Sequence, residues 1–179
     1  MVQSLVLMAA VCCAAPASVE NADTQEHYDA NIQPLVSGIE KAKRLVIYQG
    51  PPRDRADRDT VEKELKDKQK ITLHGFQFYK ETIASGDEGE KKIIALASDK
   101  KTFGKYGGPK FCGGFHPDWC LEFTSGREVY RVLICLGCHE ARLYGPNKTS
   151  LFSDLDEDAL KELLAVINPL AKRRAVVGP

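Results

Sequence analysis

Methionine is almost missing from this chain: its 179 residues hold two, Met1 and Met8. Both fall in the first apolar stretch, so no methionine further along can serve as an axial ligand to a haem iron. Net charge is also lacking, with 25 Lys and Arg against 25 Asp and Glu. A neutral chain has no bulk attraction for nucleic acid or anionic lipid. The one basic cluster, Lys172, Arg173 and Arg174, reads as a solvated tail. No apolar run reaches the ~20 residues of a membrane-spanning helix, so no transmembrane span is expected in the mature chain. There is no internal repeat, phosphate loop, carboxylate pair or nucleophile elbow, and no enzyme class stands out.

What is present begins with an uncharged stretch, Met1 to Ala17, rich in Leu, Val and Ala. Ala15-Pro16-Ala17 is a small-x-small cleavage site, and the chain turns polar at Ser18, Glu20 and Asp23. This layout predicts a signal peptide over 1–17, a polar linker over 18–24 and export to the periplasm or the exterior. A single α+β domain is expected over 25–171, followed by a tail over 172–179.

Apolar Ile32, Leu35, Val36 and Ile39 recur at helical spacing within Gln25 to Leu45, with Pro34 a possible kink. Leu45 to Tyr48 reads as a strand, Thr60 to Lys68 as a charged helix, and Glu88 to Asp99 as a third helix. Ile71 to Ile83 alternates as one strand bent at Gly75, placing His74 beside Phe76 and Phe78 as a half-buried histidine. Gly104 to Gly108 reads as a loop. Trp119 to Thr124 and Glu128 to Cys135 are two strands joined at Ser125-Gly126, and Ala141 to Tyr144 is a third. Ser153 with Asp156 reads as the capping box of a last helix carrying Leu160, Leu163, Leu164 and Ile167. The elements do not alternate as βαβ units, which predicts an α+β fold: a small antiparallel sheet packed with about four helices.

Cleavage would remove Cys12 and Cys13, leaving Cys112, Cys120, Cys135 and Cys138 of the six cysteines. Their clustering between 112 and 138 implies that they work together. With Ser125-Gly126 as the hairpin turn, Thr124 pairs with Arg127, Cys135 falls opposite His116 and Cys120 falls opposite Arg131. His116 and Cys135 would then stand ~5 Å apart, with Cys120 ~13 Å down the ladder. Cys112, His116, Cys135 and Cys138 form the candidate set.

Three chemistries suit it. Three thiolates and an imidazole match tetrahedral zinc, Zn2+. In an oxidising compartment Cys112 could instead pair with Cys135 or Cys138 and staple the hairpin to the preceding loop, or Cys135 and Cys138 could form a reducible bond for thiol-redox exchange. Cys135-Leu-Gly-Cys138-His139 is also a complete attachment string for covalent c-type haem, with His139 as proximal ligand and His116 or His74 as the second. A nucleophilic Cys138 with His139 or His74 as base lacks an oxyanion site and an orienting third group.

The segments Leu73-His-Gly-Phe-Gln-Phe-Tyr79, Cys112-Gly-Gly-Phe-His-Pro117 and Val132-Leu-Ile-Cys-Leu-Gly-Cys138 resemble a group of exported bacterial proteins. That group pairs a Cys-x-x-x-His element with a later Ile-Cys-x-x-Cys strand end. The resemblance runs from about Leu45 to Ile167 and implies that Cys112, His116, Cys135 and Cys138 act as a set. It implies no reaction. This chain departs from the group in having Leu136 where an aromatic is usual and an extra Cys120; many members lack the equivalent of His139, which weighs against haem.

Overall fold

In the computed structural model, which describes residues 24–52, 62, 66, 69–111 and 113–171, the chain builds one large antiparallel sheet with helices on one face and a hairpin on the other. Its elements are α1 (Gln25–Glu40), β1 (Arg44–Gln49), β2 (Lys70–Leu73), β3 (Phe76–Tyr79), β4 (Thr82–Ile83), α2 (Gly86–Ser98), β5 (Phe103–Lys105), β6 (Trp119–Ser125), β7 (Glu128–Cys135), β8 (Glu140–Tyr144), β9 (Ser150–Leu155) and α3 (Glu157–Ile167). The fold is α+β. The sheet is larger than the sequence suggested, with seven strands in the order β4-β1-β6-β7-β8-β9-β5, and β2 and β3 form a separate pair.

The strands carry residues for two opposite faces. In β6, Trp119, Leu121 and Phe123 point to one side and Cys120 to the other; in β7, Val132 and Ile134 oppose Leu133. This alternation lets one sheet serve two cores. On the helical side, Ile32, Leu35 and Ile39 of α1, Ile93 of α2 and Leu163 and Ile167 of α3 close over the sheet. Gly38 of α1 lies against the ring of Tyr130, where a Cβ would overlap the phenol. On the other side Phe78, Cys120 and Leu133 are fully buried beneath the β2–β3 pair, with Tyr48, Phe76, Phe115 and Tyr144 around them.

The starts of α1 and α3 are capped by side-chain oxygens. Thr24 accepts from the His27 N–H, and Asp156 accepts from Asp158 and Ala159. Ser153 is therefore not a cap. It lies inside β9, fully buried, and its hydroxyl donates to the Gly104 carbonyl at 2.7 Å. That contact spans β9 and β5, a strand formed where a loop was expected. Ile71 to Ile83 is likewise not one bent strand. His74 and Gly75 have φ of 49° and 84°, and the chain reverses there so that Leu73 pairs with Phe76.

Three helices of ten or more residues lie among the described residues. Within the expected helix over Thr60 to Lys68, Glu62 and Lys66 are helical and 3.8 Å apart; the rest of that segment, the expected signal peptide and the tail lie outside the described residues. No helix among the described residues is long and apolar enough to cross a membrane.

Candidate functional site

The β6–β7 hairpin turns at Gly126 and Arg127, with Ser125 opposite Glu128. Gly126 takes a φ of 62° as the first central residue, the glycine-first arrangement that follows the twist of a two-residue hairpin. The turn expected at Ser125-Gly126 is thus displaced by one residue, and the whole ladder by two pairings. Cys120 stands opposite Leu133, not Arg131. Cys135 does not stand opposite His116. The place across from the end of β7 belongs to Asp118, whose N–H donates to the Ile134 carbonyl at 2.8 Å and whose carboxylate accepts from the Leu136 N–H at 2.7 Å. The shift is even, so every side chain keeps its expected face.

β7 and β8 are joined by a turn over Leu136 to His139, with Cys135 paired to Glu140. His139 is exposed and holds a φ of 52°. Cys138 is buried and disulfide-bonded, and its partner lies outside the described residues. Its sulfur rests 3.6 Å from the Gly114 carbonyl oxygen. The turn thereby touches the loop that runs into β6. Cys112 lies outside the described residues.

Cys120 and Cys135 are fully buried thiols outside that bond. Burial between Phe78 and Leu133 pushes the Cys120 thiol far above its ordinary pKa, leaving it a small apolar filler. His116 is half-buried with its Nδ1 enclosed and unpartnered. Among the described residues, no three His, Cys, Asp or Glu side chains are grouped to hold a metal ion.

The hairpin-covered face carries charged and aromatic groups that, apart from His74, were not singled out from the sequence. His74 lies flat on Tyr144, ring centroids 3.6 Å apart and planes 9° apart. Its Nε2 is 3.3 Å from Arg131, which is bound to Glu122 at 2.7 Å. Desolvation and the Arg131 charge hold His74 below the usual imidazole pKa. At the other end of β8 from Tyr144, Glu140 faces Asp154 of β9. Lys110 and the Gly107 N–H both bind Asp154 Oδ2, at 2.9 and 3.2 Å. Glu140 Oε1 and Asp154 Oδ1 are buried without a hydrogen-bond partner. Burial, with Asp154 adding repulsion, raises the Glu140 pKa against the opposing pull of Lys110 and Arg142.

Between these groups lies Arg142. Its guanidinium carbon is 4.2 Å from the Phe115 ring centroid, 4.4 Å from Phe152 and 5.3 Å from Phe76. The only sequence signal was Glu140-Ala-Arg142-Leu-Tyr144, with polar groups at period two on the same face as Cys135. Comparison with protein-family models, with curated proteins and with solved structures finds no match.

Proposed function

We propose that this is an exported, non-enzymatic binding domain whose β7–β8 turn is stapled by a disulfide between Cys112 and Cys138. The observation that carries the reading is the disulfide-bonded state of Cys138 beside the Gly114 carbonyl. Of the two pairings the sequence allowed Cys112, this position favours Cys138, because Gly114 is two residues further along the chain. A sulfur held in a disulfide has no thiolate to give zinc and cannot form the thioether of a covalent haem. That chemistry supports the staple over both cofactors. An exported location agrees with it, since disulfides persist in oxidising compartments.

The staple has a use on the binding face. Phe115 follows Gly114 directly and supplies one of the rings against Arg142. Lys110 and Gly107 fasten the same loop to Asp154. Two anchors therefore fix the loop that carries Phe115 over the sheet.

Mass spectrometry of a non-reduced digest, with zinc analysis and thiol counting after denaturation, tests this. A linked Cys112–Cys138 peptide and alkylation at Cys120 and Cys135 are expected. One zinc per chain without an S–S bond would overturn the staple, as would a Soret band that survives acid-acetone extraction.

A further inference from the structure

We propose that Arg142, walled by Phe76, Phe115 and Phe152, is a binding site for a monoanionic carboxylate with an apolar body. The site rests on the stapled-domain reading for the placement of Phe115 and adds the chemical class of the ligand.

Arg142 occupies the middle of β8, opposite Phe152 of β9 and Leu133 of β7. Its two nearest carboxylates along the strand pair are Glu140 and Asp154, and each keeps a buried oxygen without a partner. Arg142 binds neither. Among the described residues, the ion pairs of this face are Lys110 with Asp154 and Arg131 with Glu122. The guanidinium instead lies among three phenyl rings from three separate elements: β3, β9 and the loop before β6. Along β8 its polar neighbours are the Tyr144 phenol, which accepts a hydrogen bond from the guanidinium, and the Glu140 carboxylate, which it reaches only through space.

A guanidinium is a flat cation with N–H donors around its edge, arranged as a fork. Rings close to its charged carbon contribute cation–π attraction but accept none of those in-plane hydrogen bonds. Arg142 is half-buried, and its nitrogens are not among the enclosed, unpartnered side-chain atoms of the described residues, so the fork's donors beyond the bond to Tyr144 face the surface. A half-buried arginine with open donors and apolar walls is a receptor for an anion.

The surroundings select the anion. A carboxylate takes two parallel N–H bonds in the plane of the fork. A phosphate would fit the fork too, but it would bring additional charge toward Glu140 and Asp154 and polar oxygens against phenyl rings. The Phe76 and Phe115 rings meet edge to face at 5.4 Å and offer an apolar surface to the body of the ligand. The carboxylate can come from a free aromatic acid or from the C-terminus of a peptide ending in an apolar residue.

The test is a titration of the disulfide-intact protein with benzoate, followed by the 1H–15N signals of the arginine side chains and by calorimetry. Benzoate is expected to bind saturably and shift the Arg142 Nε–H signal. Acetate should bind about tenfold more weakly for want of apolar contact, and neutral benzamide should not shift that signal. A blocked peptide ending in phenylalanine separates the sources: tighter binding than benzoate assigns a chain terminus, weaker binding a free acid. Arg142→Lys should lose at least about tenfold, because an ammonium cannot make the paired contact. Phe152→Leu should weaken benzoate while leaving acetate unchanged.

No saturable shift in the parent protein would overturn the site, as would benzoate binding equally well to Arg142→Lys. The parent titration needs no substitution, so it decides even if a variant misfolds. The thiol count judges the staple separately, and either reading can fail alone.

Discussion

Replacing Glu140 by glutamine should make the protein more stable at neutral pH, although it removes a charge next to Lys110. Glu140 is 6% exposed, faces Asp154 across the sheet, and keeps one oxygen buried and unpartnered. Like charges directly opposed on a sheet cost roughly 0.2–1 kcal/mol. A glutamine amide could donate to the unpartnered Asp154 Oδ1, adding about 1 kcal/mol as a net hydrogen bond. The lost attraction to half-exposed Lys110 is worth less, as for other exposed pairs. A net gain of about 1–2 kcal/mol corresponds to a rise in Tm of about 2–8 °C for a domain of this size.

The pH dependence is a sharper check. Burial and Asp154 raise the Glu140 pKa in the folded state, so the folded protein holds that proton more tightly than the unfolded chain. The contribution is favourable below the ordinary carboxylate pKa and is lost as pH rises through the raised value. Thermal unfolding from pH 4 to 8 should therefore show Glu140→Gln gaining most over the parent at the upper end. A lower Tm for the variant at pH 7, or an unchanged pH slope, would refute the reasoning and show that the carboxylate is engaged by something it needs.

Gly38→Ala should destabilise by about 1–3 kcal/mol through overlap with the Tyr130 ring, despite the better helix propensity of alanine, and Tyr130→Leu should rescue most of the loss in a double-mutant cycle of denaturant midpoints. Cys120→Ser should cost about 1–3 kcal/mol by enclosing a hydroxyl between Phe78 and Leu133, measured the same way; a neutral result would mean that a water or a backbone oxygen reaches it. His74 should titrate by NMR below the ordinary imidazole value; its stacking on Tyr144 should be strongest above that value and weaken as pH falls, and a midpoint raised above it would contradict the contact with Arg131.

The central strands were legible because Trp119 to Thr124 and Glu128 to Cys135 alternate cleanly, and α1 was legible because Ile32, Leu35, Val36 and Ile39 keep one stripe. The hairpin register was not. Ser-Gly and Gly-Arg are both acceptable two-residue turns, and only the pairing of whole strands selects Gly126-Arg127. β9 was missed because Ser153 and Asp156 imitate a capping box, while Leu151, Ser153 and Leu155 alternate inward. β5 holds three residues with a glycine in the middle and exists through its pairing with β9. The β2–β3 reversal was hidden because histidine, not asparagine or aspartate, precedes Gly75 in a turn with positive φ at both positions.

The candidate site was legible in part. Clustering brought attention to the segment between 112 and 138, and Cys138 and Gly114 do meet there. His116 was placed by a register that the fold does not use. Spacing placed Arg142 on one strand face with Glu140 and Tyr144 but could not show its three phenylalanines, which are scattered over the sequence and gathered by topology alone.

Phe76 belongs both to the pair of strands that covers the second core and to the wall around Arg142. Those two strands join the remainder of the protein through side chains, with no ladder to the seven-stranded sheet. Detaching them breaks far fewer backbone bonds than unfolding the sheet, so they are expected to open as a unit below the global unfolding free energy. A molecule seated against Phe76 would hold that unit down and slow hydrogen exchange at Lys70 to Tyr79, well beyond the atoms it touches. Occupancy of a single arginine would thus be written into the exchange rates of an entire hairpin.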